Sequence, residues 1–457
     1  MDTAAIGAHA RFLASDLLQG RRAGSPGARL AAEYIAATCQ ALGLEEVRDS
    51  YFQSVPLVES AIRSGTLTVT TNAGRWVFVS PRDFVADLGS AASLTGFDGP
   101  AVFVENPLAP SVDIRGAVVV TEEIGDRAAL DTLEARGAVG LVLAVADGRR
   151  HDLYVRSRGE TRLTLADGTV GSSLLRSLPT VVAGPAIASV ILGPGAPRDA
   201  RVELTLDVVR TSTPDRNVAC LQPGSDPRAR DTAIVFTAHF DHLGVGLPDA
   251  RGDSVYNGFS DNAAGVAMVL GIAAATRRAE RAPRHSMLFL FFTAEEHGLL
   301  GSDYYTAQPL WPLDRTRAVI NLDAGAPPAP PSSWRLAGTV GSELAHLAVD
   351  VALARGWSAT VTPATPNSDH FPFLRAGVPA VFVIPGPGPY EGMSMDSSRA
   401  LKAKWDAYHE PGDEWSPVFP LAGLARYAEY AWLIGAALDR HLTDGGERSR
   451  WRGRGRR

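Results

Sequence analysis

AIVFTAHFDHLG (residues 233–244) and MLFLFFTAEEHGLLGS (residues 287–302) decide how the rest of the chain is read. Each opens on an unbroken apolar run and ends in histidines and carboxylates. Runs of this length without polar interruption read as strands buried on both faces, as in parallel sheets. From about residue 205 such strands alternate with helical stretches, which predicts an α/β sheet covered on both sides. AVINL before Asp323 and AVFVI from Ala380 to Ile384 repeat the pattern. In open α/β sheets ligands gather beyond the carboxyl ends of the strands, so the polar residues after these four runs are where chemistry is sought.

Upstream, residues 1–60 read as a helix pair followed by a strand. GARLAAEYIAATCQALGL (27–44) has apolar positions at helical spacing, and Pro26 with Gly27 marks its entry. Between about 61 and 204 the texture changes to short β-rich runs (TLTVT, WVFV, AVFV, AVVV, GLVLAV) separated by Gly, Pro and Asp. The expected organisation is therefore a main domain of 1–60 with 205–445, a smaller β-rich insert at 61–204, and a tail at 446–457. That tail ends RSRWRGRGRR, a run of arginine and glycine that reads as disordered.

The 457 residues fit two or three domains, and 45% apolar with 21% charged residues is the balance of a folded protein. A net charge of −6 argues against nucleic acid or an anionic membrane as the partner. Cys39 and Cys220 allow at most one disulfide and lie in no CxxC, which excludes a cysteine zinc module. The opening MDTAAIGAHARFLASD has neither the basic stretch nor the apolar run of a leader, so none is expected in this chain. The apolar run 263–276 is shorter than the ~20 residues a membrane span needs, so no membrane partner is expected.

The chemistry lies in residues that are ordinary one at a time. His239 and Asp241, two apart after the first strand, let an imidazole bind a metal while a carboxylate orients it; His242 beside them is read as structural. Asp261 in GFSDNAAG opens an apolar helix. It is either an N-cap or a carboxylate whose two oxygens each take one metal. Glu295 and Glu296 repel unless cations neutralise them or one stays protonated. Leaving a strand, they point in different directions, so one can bind metal and the other act as a general base. Asp323 follows the next strand. In WDAYHEPGDEW (405–415), His409 is flanked by Tyr408 and Asp413, as a ligand with its orienter would be. Ser368, Asp369 and His370 read as pocket wall, with His370 a weaker ligand candidate. Together His239, Asp261, Glu296, Asp323 and His409 form an N/O set suited to two zinc ions, with cobalt or manganese able to substitute. Glu295 as base completes a hydrolytic centre.

The order HFDHLG, SDNAAG, TAEEHGLLGS, NLDAG, SDHFPF, YHEPGDEW, with the opening LASDLLQGRRAGSPGARLAAEYI, resembles the dinuclear-zinc aminopeptidases related to secreted bacterial leucine aminopeptidases. Glutaminyl cyclases and glutamate carboxypeptidases share that fold. The resemblance implies a mixed, mostly parallel sheet flanked by helices, and residues 61–204 look like a protease-associated insert. It implies that His239 and Asp323 hold one zinc, Glu296 and His409 the other, and Asp261 bridges them. Glu295 would be general base, Tyr408 would stabilise the oxyanion, and Asp241 and Asp413 would support the ligands. The implied substrate is a peptide with a free N-terminus. A glutaminyl cyclase-like transferase or a glutamate-type carboxypeptidase on the same fold is the alternative, and a non-catalytic scaffold fits least because no ligand is missing. Other hydrolase signatures fail: His409-Glu410 has Asp413 where HExxH needs histidine, and Ala23 to Gly27 is only a near miss to GxSxG.

Overall fold

A computed structural model of the chain describes all residues except 88–95, 124–126, 149–150, 152–160, 167–177, 193–198 and 445–457. The arginine-rich tail therefore lies outside the described residues. The rest forms two compact units, Met1–Val55 with Pro214–Arg457, and Pro56–Thr213. The boundaries expected at 60/61 and 204/205 fall inside two long paired strands, Leu57–Thr71 and Arg201–Ser212. The division lies instead at Pro56 and Pro214, just outside that ladder.

The first unit is built on eight strands: β1 (Phe52–Val55), β2 (Asp215–Gln222), β3 (Ala233–His239), β4 (Ser286–Phe292), β5 (Thr316–Asn321), β6 (Ser333–Gly338), β7 (Ser358–Pro363) and β8 (Ala380–Pro385). Their order is β1-β2-β4-β3-β5-β8-β6-β7. The pairs β3–β4, β3–β5, β5–β8 and β6–β7 are parallel, and the other three are antiparallel, a mixed, mostly parallel sheet. Every residue of β3 and β4 is buried, because alternate side chains serve two cores. Ile234, Phe236, Phe289 and Phe291 pack with Ile6, Ile35, Leu270 and Ile434 from the helices Thr3–Leu13, Pro26–Ala41, Ala264–Arg277 and Ala422–Asp444. Ala233, Val235, Leu288 and Leu290 pack with Tyr305 and Phe373 on the opposite face. Burying a side chain of this size contributes about 1.5–3 kcal/mol, so the two-sided strands are the densest source of stability in the unit.

Ser25 caps the helix Pro26–Ala41, its side chain accepting from the Ala28 N–H with proline at the first position. The apolar stretch Phe259–Arg277 is longer than the run 263–276, because the turn Phe259–Ala263 winds directly into the helix. By length and composition it passes as a membrane span, yet 78% of its apolar window is buried inside the protein, and it is the central core helix.

The second unit is β-rich. Its sheet runs Gly74–Ser80, Leu57–Thr71, Arg201–Ser212, Phe97–Phe103, Val118–Thr121, Gly140–Ala144, Thr180–Ala183, Phe84–Asp87, with Thr161–Leu165 also paired to Leu57–Thr71. Three successive parallel pairings lie at its middle, over a core of Leu67, Val69, Val118, Val142, Val181 and Val202.

Cys39 and Cys220 form a disulfide that joins the helix Pro26–Ala41 to β2 across 181 residues of chain. Closing so long a loop restricts the unfolded chain. The double variant Cys39→Ala/Cys220→Ala is expected to lose about 2–4 kcal/mol of unfolding free energy in guanidinium titrations. An unchanged midpoint would show that the bond contributes nothing to stability.

Candidate metal centre

The parallel register places the polar strand ends side by side. His239 ends β3 opposite Phe292 of β4, and Thr237 pairs with Asn321 of β5. Beyond those ends, Phe240 N–H donates to Phe292 O (2.9 Å) and Leu322 N–H to Thr237 O (2.9 Å), carrying the alignment on to Glu295 and Asp323.

His239, Asp261 and Asp323 converge as one group, with His239 Nε2 3.2 Å from Asp261 Oδ1 and 2.9 Å from Asp323 Oδ1. His409 Nε2 lies 3.1 Å from Asp261 Oδ2 and 3.2 Å from Glu296 Oε2, and with His242 these residues form a second group. The two oxygens of Asp261 thus face different histidines. Ligand atoms on a tetrahedral zinc with bonds near 2.0 Å stand about 3.3 Å apart, so both groups have the spacing of a cation's coordination shell. Glu295 Oε2 lies 3.9 Å from His239 Nε2 and belongs to neither group.

Asp261 is free to face both histidines because its neighbour takes over the capping. Asn262 Oδ1 accepts from Gly265 N–H (2.9 Å) and its Nδ2 donates to Leu322 O (3.0 Å). The N-cap alternative for Asp261 therefore passes to Asn262. His409 sits at φ +58°, a left-handed conformation that non-glycine residues adopt at some cost and that clusters at functional sites.

The carboxylates expected to support the ligands do so with one difference. Asp241 Oδ1 lies 3.6 Å from His239 Nδ1 and accepts from Glu295 N–H (3.1 Å), so one carboxylate registers a ligand and the base. Asp413, four residues after His409 in sequence, does not orient it. Its carboxylate accepts from Ser260 N–H (2.9 Å) and Asp261 N–H (3.1 Å), and it holds the Asp261 turn instead. Tyr408 is 68% exposed and stacks on the His409 ring, centroids 3.8 Å apart. His370 joins neither group; it is buried against Phe382, and burial lowers its pKa to about 4.

Four participants escape a reading by motif. His242 donates from Nδ1 to Glu296 Oε1 at 2.6 Å, so the histidine read as structural is part of the centre. Ser368, read as pocket wall, donates to Asp323 Oδ2 and accepts from Asn321 Nδ2 (2.7 Å). Asp369 is fully buried beside the group. Arg21, also fully buried, donates to the carbonyls of Leu13, Phe240 (2.7 Å), Asn257 (2.6 Å) and Gly258 (2.9 Å).

The electrostatics follow from this crowding. Burial, with Asp323, Asp369 and Glu296 adding repulsion, holds the Glu295 carboxyl well above the usual range. Burial likewise pushes Asp369 up to about 8. Burial alone would lower the His239 imidazole, but Asp323 and Glu295 raise it well above 6.5. His409 is raised to about 10 against burial by Asp261 and Glu296. Without cations, protons serve as counter-charge for the carboxylates, as expected of a donor set that fits divalent metal.

Residues 217–433 match the family model described as Peptidase family M28. The matched segment carries every candidate ligand. Among curated proteins the chain is similar to leupeptin-inactivating enzyme 1 of Streptomyces exfoliatus, 28% identical over 40% of this chain and 37% of that protein. It is also similar to probable leucine aminopeptidase 2 of Aspergillus oryzae, 24% identical over 66% of this chain and 63% of that protein. The chain thus spans less than two thirds of the curated relatives it matches. In fold it is similar to an aminopeptidase from Aneurinibacillus sp. strain AM-1, with TM-score 0.59 and 18% identity, covering 96% of this chain and 93% of that one. It is also similar to a zinc aminopeptidase from Bacillus subtilis, with TM-score 0.54 and 19% identity over 95% and 94%.

Because His239 and His409 are protonated at pH 7 in the cation-free centre, and ligation needs the Nε2 lone pair, metal uptake must expel protons. Zinc titrations followed calorimetrically in buffers of different ionisation enthalpy are expected to show at least about two protons released per chain at pH 7, with affinity weakening as pH falls. Uptake without proton release would contradict these protonation states.

Proposed function

We propose that the protein is a zinc-dependent aminopeptidase that removes N-terminal residues from peptides. The single observation that carries the reading is the pair of histidine–carboxylate groups sharing Asp261, with Glu295 beside them and outside both. His239 and Asp323 would hold one zinc, Glu296 and His409 the other, with Asp261 between them; cobalt or manganese would fit the same donors. The relatives' names and the M28 match support the same reading.

Bound divalent ions supply Lewis acidity and bring the pKa of water down to about 7. The rest falls to the chain. Glu295, held by its own N–H on Asp241 and kept basic by burial, takes the proton of the attacking water and returns it to the leaving amine. Tyr408, stacked on His409, is exposed enough to swing its hydroxyl toward the developing oxyanion. The carboxylate-rich centre attracts a free α-ammonium, which suits an exopeptidase more than an endopeptidase. We read Pro56–Thr213 as the protease-associated-like insert, a reading that its β-rich sheet supports.

Elemental analysis of protein equilibrated with zinc and desalted is expected to give about two zincs per chain. One would favour the cyclase-type alternative, and none would mean that the donors bind no metal. Glu295→Gln is expected to keep both zincs and lower kcat on aminoacyl substrates by at least ~100-fold. Near-native turnover in that variant would remove Glu295 from the role of base.

A further inference from the structure

We propose that His242 is a positioning residue that fixes Glu296. Its Nδ1–H holds Oε1, so that Oε2 stays turned toward His409 and Asp261. The inference rests on the metal centre proposed above. It adds to the ligand set a residue that the sequence presents as a bystander.

The distances separate an orienting role from ligation. The contacts among Nε2 of His239, Nε2 of His409 and the carboxylate oxygens facing them run from 2.9 to 3.2 Å. His242 Nδ1 approaches Glu296 Oε1 to 2.6 Å, shorter than any of these, and it meets the oxygen that His409 does not. Two atoms on one tetrahedral cation stand about 3.3 Å apart, so this contact is a hydrogen bond to a ligand. The other metal-facing carboxylate is treated in the same way. Asp323 presents Oδ1 to His239 while Ser368 holds Oδ2. Each ligand thus has one oxygen fixed by the protein and one left for the centre, the arrangement by which surrounding groups tune affinity.

The ring is itself clamped. His242 is fully buried, its backbone N–H donates to Arg21 O (3.2 Å), and its edge meets the His409 ring at 5.6 Å. Gly258, at φ +57°, lies against its face, where a Cβ would come within 2.6 Å of His242 Cδ2 and 2.2 Å of Asp261 O. Glycine at 258 lets the Asp261 turn close over the imidazole.

The test compares His242→Ala with His242→Asn, whose amide nitrogen falls near the position of Nδ1 and can donate in its place. Zinc affinities of the two sites are measured by chelator competition, with cobalt absorption reporting each site's geometry and thermal unfolding reporting the fold. His242→Ala is expected to weaken one of the two sites by about 10–100-fold and leave the other within about twofold, with His242→Asn restoring most of the loss. Native affinity at both sites in His242→Ala would overturn the proposal. So would equal losses in the two variants, which would make the ring a ligand or a filler. Fewer than two zincs in the wild-type chain would overturn the metal reading itself, a result distinct from either.

Discussion

Carboxylates crowded into a space with almost no water are the constraint to which the rest of the first unit answers. Asp241, Asp261, Glu295, Glu296, Asp323 and Asp369 meet beyond the ends of β3, β4 and β5, and none is well exposed. Such a cluster is stable only if positive charge, hydrogen-bond donors or protons offset its charge. Arg21 is the permanent internal cation. Burial lowers its pKa to about 10, and Asp241, Asp413, Asp261 and Glu296 oppose that shift, so it stays charged. Its donors all end on main-chain carbonyls, which leaves the carboxylates free to take cations. It also ties the segment after His239 to the segment before Asp261.

Several of the other oxygens are met by short-range donors that double as spacers. Asp413 accepts from Ser260 and Asp261 N–H, Ser368 donates to Asp323, and Asp241 accepts from Glu295 N–H. Glu295 and Glu296 divide their labour through these attachments. Glu296 is kept below its usual range by His242 and His409 against burial and Asp261, while Glu295 meets mainly burial and other carboxylates. Two adjacent, chemically identical side chains acquire opposite proton affinities from their neighbours.

Much of this was legible because buried parallel strands leave a plain signature. Unbroken apolar runs ending in His239, Glu295 and Asp323 announce both the sheet and the edge at which polar groups collect. What stayed hidden depends on contacts between residues far apart in the chain. His242 looks redundant beside His239, and only the fold brings its ring to Glu296, 54 residues away. Arg21 is 236 residues from Asn257, whose carbonyl it holds, and lies in a stretch that reads as a turn. Asp413 stands four residues after His409 in sequence, yet its carboxylate serves the Asp261 turn. The division between units was misplaced for a simpler reason. Leu57–Thr71 and Arg201–Ser212 run on past the change in composition, and strand pairing sets the boundary.

The first unit is assembled from two stretches separated by the whole of Pro56–Thr213. A growing chain therefore releases the helices Thr3–Leu13 and Pro26–Ala41 long before β2 or the helix Ala264–Arg277, against which they pack, has been made. The intervening unit contains its own sheet and core, and it is complete on the ribosome while those helices still expose the faces they will bury. Arg21, between the two helices, meets the last of its carbonyls only after residue 258 emerges. The polar centre is thus completed late in synthesis, and the amino-terminal helices spend that interval without the partners that cover their apolar faces.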